Sequence, residues 1–242
     1  MNAIIFAPVA QKKLQRFADI KTFSNVLEYP AAMQGRWKAF FKNDNPLILE
    51  LACGRGEYTV GLASLFPDKN FIGVDVKGNR MYIGAKKCLA ENVSNAAFLR
   101  TQIEKLVDYF AEGEVDQVWI TFPDPQLRIS KAKKRLTHPR FLRLYKKILM
   151  PGGIIHLKTD SPDLYQFTKK VINMYDLISE QDCNDVYGQA GIKEELKIKT
   201  HYESLDIAQS KKVHYLAFSI PGEIKDIDQQ LQEILKNEGS AD

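Results

Sequence analysis

The segment Leu49–Glu57, L-E-L-A-C-G-R-G-E, decides the fold, because an apolar run meets two glycines and an amphipathic segment follows directly. This order predicts a buried strand, a tight glycine turn and a helix, which together form one unit of an open α/β sheet. Glycines in such a turn let the backbone approach a bound ligand closely. We therefore expect Ala52, Gly54 and Gly56 to line a ligand site.

The same alternation continues outward along the chain and predicts a mostly parallel sheet with helices on both faces. The predicted strands are Leu47–Ala52, Phe71–Asp75, Ala96–Thr101, Val115–Thr121, Ile154–Thr159 and an antiparallel Val213–Ile220. The predicted helices are Gly56–Phe66, Arg80–Glu91, Ile103–Phe110, Pro139–Leu149, Pro162–Met174 and Glu223–Lys236.

We expect one domain over residues 47–242, which includes a C-terminal helix at 223–237, and an N-terminal extension over 1–46. The apolar face of the C-terminal helix is predicted to hold Ile224, Ile227, Leu231 and Ile234. Within the extension, the stretch 36–42 mixes cations with aromatic residues, and we expect its aromatics to be core contacts rather than nucleic-acid contacts.

Charge is distributed unevenly along the 242 residues, although the net formal charge is only +4. Residues 1–159 hold 25 basic and 14 acidic residues, whereas residues 160–242 hold 9 basic and 16 acidic ones. Between Pro125 and Thr159 there are ten Lys or Arg and no Asp or Glu. A contiguous basic surface of this kind is typical of nucleic-acid binding.

Cysteine and histidine usage excludes several classes of protein. The three cysteines, Cys53, Cys88 and Cys183, form no C-x-x-C pair, and the four histidines have no metal-ligand spacing. The N-terminal M-N-A-I-I-F-A-P-V-A lacks a basic region, and no apolar run approaches the length that spans a bilayer. We expect a cytoplasmic protein without disulfides, metal or membrane contact. The sequence leaves open whether it is a monomer or a homodimer.

Two cofactors fit a glycine turn followed by an acid at the end of the second strand, where Asp75 can accept hydrogen bonds from ribose hydroxyls. A dinucleotide requires G-x-G-x-x-G, but the third glycine position holds Thr59. Glu50 would repel a pyrophosphate, whereas it suits a ligand with an ammonium group. These residues favour S-adenosyl-L-methionine, with Gln102 and Ile103 at the third strand end placed to meet adenine.

The strand Val115–Thr121 ends in F-P-D-P, where two prolines bracket Asp124. Proline fixes φ, so the carboxylate stands on a rigid turn at a strand end. Amino-group methyltransferases place a [D/N/S]-P-P-aromatic turn here, which this chain lacks. Guanine N7 carries a free lone pair and needs no base, but alkylation makes the purine cationic. We interpret Asp124 as an orienting group that stabilises this charge, and a turn-capping Asp remains the alternative.

Ordered motifs across roughly residues 47–220 resemble the bacterial TrmB type of tRNA (guanine-N7)-methyltransferase. They are 50–57, G-E-V-D at 113–116, F-P-D-P at 122–125, K-R-L-T at 134–137, P-R-F-L at 139–142, H-L-K-T-D at 156–160 and T-H-Y-E at 200–203. The resemblance implies a Rossmann-like class I methyltransferase fold with a seven-stranded sheet and one antiparallel strand. It also implies S-adenosyl-L-methionine as cofactor and methylation of guanine N7 at position 46, in the variable loop of tRNA.

Site residues follow from the resemblance, motif by motif. Asp124 matches the catalytic Asp of the family, and Glu50, Asp75 and Gln102 match cofactor contacts, although the family usually has an acid at the last position. Substrate contacts are implied at Arg128, Asp160, Thr200, His201, Tyr202 and Glu203. The chain departs from the family where P-D-P-W-P-K-K-R-H becomes P-D-P-Q-L-R-I-S-K at 123–131, which leaves its RNA contacts open.

Several residues also have purely structural interpretations. Asp160 could cap the helix that starts near Pro162, and Thr200 with Glu203 could form a capping box. Lys158 could face the cleft or extend outward. The alternative functions are an amino-group methyltransferase of the same fold and a non-catalytic RNA-binding module.

Overall fold

The computed structural model describes residues 7–205 and 209–238 and contains one eight-stranded sheet in the order β1-β4-β3-β2-β5-β6-β8-β7. The strands are β1 Val26–Glu28, β2 Leu47–Leu51, β3 Asn70–Asp75, β4 Ala96–Arg100, β5 Val115–Thr121, β6 Leu149–Thr159, β7 Ile178–Cys183 and β8 His214–Ser219. All pairs from β1 to β6 are parallel, and β8 runs antiparallel to both β6 and β7. The mostly parallel fold class is confirmed.

Helices cover both faces of this sheet. They are α1 Ala7–Ile20, α2 Trp37–Phe41, α3 Glu57–Leu65, α4 Gly78–Ala90, α5 Pro139–Ile148, α6 Pro162–Met174, α7 Glu194–Lys197 and α8 Asp228–Glu238. Short 3₁₀ turns occur at Ile103–Asp108, Ile129–Lys134 and Glu203–Leu205. No helix in the described ranges is long and apolar enough to cross a membrane.

The strand ends position the site. Since β2, β3, β4, β5 and β6 are parallel, the loops that follow them all leave from one edge of the sheet, which we call the carboxyl edge. Ligands of open α/β sheets bind at this edge. The glycine turn follows β2 and the F-P-D-P turn follows β5, and these two strands are direct neighbours.

The sheet has one strand more than the seven expected, because a segment before residue 47 joins it. Val26–Glu28 pairs with Phe98–Arg100 of β4, and α1 packs against α4. Trp37 of α2 is 1% exposed, stacks on Phe110 at a centroid distance of 5.2 Å and donates its indole N–H to the Tyr109 carbonyl. The aromatics of 36–42 are therefore core contacts, as expected. Residues 1–6 lie outside the described residues.

Three predicted elements differ in detail. The helix expected over 103–110 is a 3₁₀ turn. Strand β6 begins at Leu149 rather than Ile154, because Leu149 pairs with Val115 and a register shift carries the strand through Pro151-Gly152-Gly153. The C-terminal helix begins at Asp228, so its buried face holds Leu231 and Leu235 while Ile234 is exposed.

Candidate active site

The glycine turn has a left-handed backbone at three alternate residues. Ala52, Gly54 and Gly56 have φ values of 57°, 57° and 75°. This conformation is strained for Ala52, and such strain accumulates at functional sites. A Cβ atom added to Gly56 would lie 2.4 Å from Cε1 of Phe98, so only glycine fits between the turn and β4.

Asp75, at the end of β3, is bound to the glycine turn. Its Oδ2 accepts a hydrogen bond from the Gly54 amide at 2.9 Å, and its Oδ1 accepts one from the Lys77 amide at 2.8 Å. The side chain is half-buried and borders a cavity of about 350 Å³. Asp75 thus holds in place the turn that contains three other predicted cofactor residues, Ala52, Gly54 and Gly56.

The cavity beside the turn lies at the ends of β2, β3 and β4. Ala52, Asp75 and Ile103 line it, as predicted for a cofactor site. The other predicted cofactor residues are not among its lining residues: Glu50, Gly54, Gly56 and the exposed Gln102. Thr101 also lines the cavity, and its buried Oγ1 has no hydrogen-bond partner among the described residues. Sequence reasoning missed Thr101, although a polar residue directly after an apolar strand was a usable signal.

Glu50 lies beneath the turn and is 3% exposed. Its Oε2 accepts hydrogen bonds from the amide, at 2.7 Å, and the hydroxyl of Thr59, and its Oε1 accepts one from the Thr121 hydroxyl at 2.6 Å. Burial raises the pKa of this carboxyl from 4.5 to about 7, against the lowering effect of the two threonines. Glu50 therefore joins the ends of β2 and β5 and the first turns of α3.

The F-P-D-P turn projects Asp124 into solvent. Phe122 has a φ of 45° and donates its amide to the Lys158 carbonyl at 2.8 Å, which fixes the start of the turn on β6. Asp124 is exposed, and its Oδ1 accepts the Gln126 amide at 3.0 Å. Asp124 therefore does cap its own turn through Oδ1. Its second carboxylate oxygen, Oδ2, has no such local bond among the described residues.

The ten Lys and Arg residues between Pro125 and Thr159, which we call the basic run, include both exposed cations and cations that hold the structure. Arg128, Lys131, Lys133 and Lys134 are exposed on the loop that follows Asp124. Arg135 is 5% exposed and donates to the carbonyls of Gln126 and Leu127, so it holds that loop from inside.

Further along the run, cations pair with acids of other elements. Arg143 binds both carboxylate oxygens of Asp228 in α8, at 2.9 and 2.8 Å, and Arg140 binds Glu104 at 3.1 Å. The sequence did not show which cations are free for a ligand and which bind acids of the protein, because these ion pairs join residues that are distant in the chain.

The T-H-Y-E segment lies at the same edge of the sheet. Tyr202 contacts the glycine turn, since a Cβ atom on Gly54 would lie 3.2 Å from Cε2 of Tyr202. Thr200 Oγ1 accepts the Glu203 amide at 3.1 Å, which matches the expected capping geometry. His201 is half-buried and stands edge-on to Tyr202 at 5.7 Å.

Two alternatives raised by the sequence are now decided. Asp160 does not cap α6, because the Ser161 hydroxyl accepts the Leu164 amide at 3.2 Å and Ser161 is the N-cap. Asp160 itself is half-buried at the start of this turn. Lys158 faces inward, is 0% exposed and pairs with Glu203 at 3.1 Å.

Comparison with known proteins gives the family. A model of the family described as "Putative methyltransferase" matches residues 44–216. The chain is 50% identical over 213 residues to a tRNA (guanine-N(7)-)-methyltransferase of Porphyromonas gingivalis, which covers 83% of this chain and 86% of that protein. A Bacteroides fragilis protein of the same description is 46% identical and covers 93% and 92%. The chain belongs to the tRNA (guanine-N7)-methyltransferase family.

Solved structures of methyltransferases share the fold of this tRNA (guanine-N7)-methyltransferase family member. The 16S rRNA methyltransferase KamB has a TM-score of 0.59 at 15% identity, covering 79% of this chain and 94% of its own. A 30S ribosomal A1408 methyltransferase from an uncultured bacterium has a TM-score of 0.57 at 19% identity, covering 78% and 95%. The Rossmann-like methyltransferase fold expected from the sequence is confirmed.

A larger cavity, of about 420 Å³, lies away from the active-site loops of this family member. Trp119, His156 and Tyr215 form part of its lining on the sheet face beside α3. Neither the glycine turn nor the F-P-D-P turn lines it. Volume alone therefore does not select the candidate active site, which is chosen because strand ends and strained loops converge at the smaller cavity.

Proposed function

We propose that this protein transfers a methyl group from S-adenosyl-L-methionine to N7 of the guanine at position 46 in the variable loop of tRNA. The observation that carries the proposal is the junction of two loops: Thr121, which directly precedes F-P-D-P, is hydrogen-bonded to Glu50 beneath the glycine turn. Family membership at 50% identity to a tRNA (guanine-N(7)-)-methyltransferase supports the reaction class.

The residues present fit the proposed cofactor. The cavity of about 350 Å³ offers the unpartnered Thr101 hydroxyl and the Asp75 carboxylate, both polar groups suited to a nucleoside. Ala52 and Ile103 add apolar lining next to them. S-adenosyl-L-methionine supplies an electrophilic methyl group on a sulfonium. Glu50 supports the turn from below, and a cationic ligand bound nearby would favour the ionised form of its carboxyl.

The chemistry requires alignment more than proton transfer. The N7 lone pair forms the new bond to carbon while the carbon–sulfur bond breaks, so no proton leaves the base. The purine becomes cationic, and a carboxylate next to it stabilises the developing charge. Asp124 is suited to this role because its turn is braced by two prolines and its side chain is exposed to an incoming base.

The exposed cations beside Asp124 provide the substrate side of the proposal. Arg128 and Lys131 stand on the loop directly after the carboxylate, so a polyanion bound to them lies against the carboxyl edge. Phosphate contacts dominate nucleic-acid affinity but carry no sequence information. Selection of one guanine then depends on Asp124 and on other residues that we propose as substrate contacts, namely Asp160, Thr200, His201 and Tyr202.

Transfer of labelled methyl from S-adenosyl-L-methionine to an unmodified tRNA transcript tests the proposal. Nuclease digestion of the product should give label in N7-methylguanosine. Label in 6-methyladenosine, or in an amino-methylated guanosine, would contradict it, and calorimetric titration with the cofactor alone separates a methyltransferase from a non-catalytic RNA-binding module.

A further inference from the structure

Lys158 of β6 carries an ammonium group that is completely removed from solvent. Its side chain is 0% exposed, and its Nζ donates hydrogen bonds to the Ile198 carbonyl at 2.9 Å and to Glu203 Oε2 at 3.1 Å. The side chain of Glu203 is itself only 7% exposed. A buried charge of this kind is costly to desolvate and is tolerated only where its partners are in place.

The remaining surroundings of the ammonium are aromatic. Nζ donates to the Tyr187 hydroxyl at 3.3 Å, and that hydroxyl in turn donates to Glu203 Oε1. The rings of Tyr58, Phe122 and Tyr187 lie 5.4–5.6 Å from Nζ. All three donors of the lysine are thus engaged by the segment that runs from residue 187 to 203.

Lys158 also contacts the F-P-D-P turn through its main chain. In the β5–β6 register it pairs with Thr121, and its carbonyl accepts the Phe122 amide at 2.8 Å. One residue therefore joins the turn that carries Asp124 to the segment 198–203. We call this segment the anchored segment.

The anchored segment reaches the glycine turn. Its Tyr202 lies against Gly54, and Arg80 of α4 stands over the Tyr202 ring at 5.5 Å. The anchored segment has little regular structure of its own, since only a 3₁₀ turn begins at Glu203. Its position therefore depends on tertiary contacts: Ile198 packs against Gly61 of α3, and Lys158 binds the Ile198 carbonyl and Glu203. The bond between Thr200 and the Glu203 amide holds the shape of the segment itself.

We infer that Lys158 is a positioning residue for methyl transfer, which acts by holding Glu203 and so fixing the anchored segment across the carboxyl edge. Glu203 then serves as an anchor rather than as a direct substrate contact. This inference rests on the proposed function, since it assigns the anchored segment a part in that reaction. Phosphate contacts of the exposed loop govern tRNA affinity, whereas the anchored segment acts after docking.

The experiment compares Lys158→Met with Glu203→Gln, which keeps the shape of the side chain, and with Lys197→Met as control. Lys197 is adjacent to the anchored segment in the chain, and in the part of the chain that the structure describes its one ion pair is an exposed one with Glu194. In Lys158→Met and Glu203→Gln we expect kcat at saturating tRNA and cofactor to fall at least tenfold, while the dissociation constant for tRNA changes less than threefold. The double variant should lose no more than the worse single one.

Hydrogen exchange supplies a readout that does not depend on the reaction. The amides of Glu203 and Ser204, which are bound to Thr200, should exchange at least tenfold faster in both variants than in the wild type. Their exchange rates in Lys197→Met should equal those of the wild type. Unchanged exchange would overturn the inference, as would faster exchange with normal kcat, or equal losses in kcat and tRNA affinity. A wild-type protein that methylates no tRNA would instead refute the proposed function, and the exchange rates would still decide whether Lys158 anchors the segment.

Discussion

At the scale of single residues, the negative charge of Asp124 is not needed for the stability of the fold. This residue is exposed, and the one local bond of its side chain, to the Gln126 amide, needs only an oxygen acceptor. An asparagine keeps that acceptor and removes the charge. The role of charge in the reaction can therefore be measured without disturbing the turn.

We predict that Asp124→Asn lowers kcat about a hundredfold, the usual effect of removing one electrostatic group aimed at a transition state. The melting temperature and the affinity for cofactor should stay close to those of the wild type. Asp44→Asn, which removes an exposed charge at the opposite edge of the sheet, is the control. Normal turnover of Asp124→Asn would show that the carboxylate has no role in catalysis.

Glu50 gives a second prediction, about how the free energy of unfolding changes with pH. The folded pKa of about 7 exceeds the ordinary 4.5, so between these values the folded chain binds a proton that the unfolded chain lacks. The free energy of unfolding must fall as pH rises through this window. The contribution of Glu50 to this fall is about 3 kcal/mol, from 1.36 kcal/mol per pKa unit.

Glu50→Gln should remove this contribution, because an amide stays neutral at every pH in the window. Urea unfolding of both proteins between pH 4.5 and 7.5 measures the difference, and the variant should gain stability relative to the wild type as pH rises. A constant difference across the window would mean that Glu50 stays ionised in the fold.

At the scale of elements, the glycine turn and β4 meet too closely for any side chain. Both the positive φ of Gly56 and its 2.4 Å approach to Phe98 oppose a Cβ atom. Gly152 has a similar φ of 77° but nothing within 4 Å of its added Cβ. The two positions therefore separate backbone strain from steric overlap.

We predict that Gly152→Ala lowers the free energy of unfolding by about 1 kcal/mol, the cost of a left-handed residue. Gly56→Ala should cost about 3 kcal/mol, because overpacking adds to the same strain. Denaturant unfolding measures both values. Equal costs would show that the contact between the turn and Phe98 is looser than described.

The loop after Asp124 gives a prediction about salt. Replacing Arg128 and Lys131 by methionine should weaken tRNA binding and reduce the slope of log affinity against log salt by about 1.5, since each phosphate contact contributes about 0.7 to 0.9. Lys38→Met with Lys69→Met removes the same charge at the opposite edge and should leave the slope unchanged. Equal effects of both pairs would place the RNA elsewhere.

At the scale of the whole molecule, the central sheet was predictable because its strands are short apolar runs bounded by turn residues. Val115–Thr121 and α6 were predicted to the residue. Strand β1 and the entry of β6 at Leu149 were not predicted, because both depend on a neighbouring strand rather than on local pattern.

The position of Asp75 beside the glycine turn was predictable, because an acid directly after an apolar run lies at a strand end. The site was not predictable where a charge turns inward. Lys158 and Arg135 belong to the same basic run as Lys131, but Lys158 is buried against Glu203 and Arg135 packs over the ring of Phe167 in α6. Composition therefore indicated a polyanionic substrate, but it overstated the number of cations that are exposed to bind one.

Methylation of two tRNA transcripts that differ at one base tests the central claim most directly. One transcript carries guanine at position 46 and the other carries adenine there, and each is incubated with the protein and labelled S-adenosyl-L-methionine. We predict close to one N7-methylguanosine per molecule of the first transcript and none in the second. Equal labelling of both transcripts, or label in any nucleoside other than N7-methylguanosine, would contradict it.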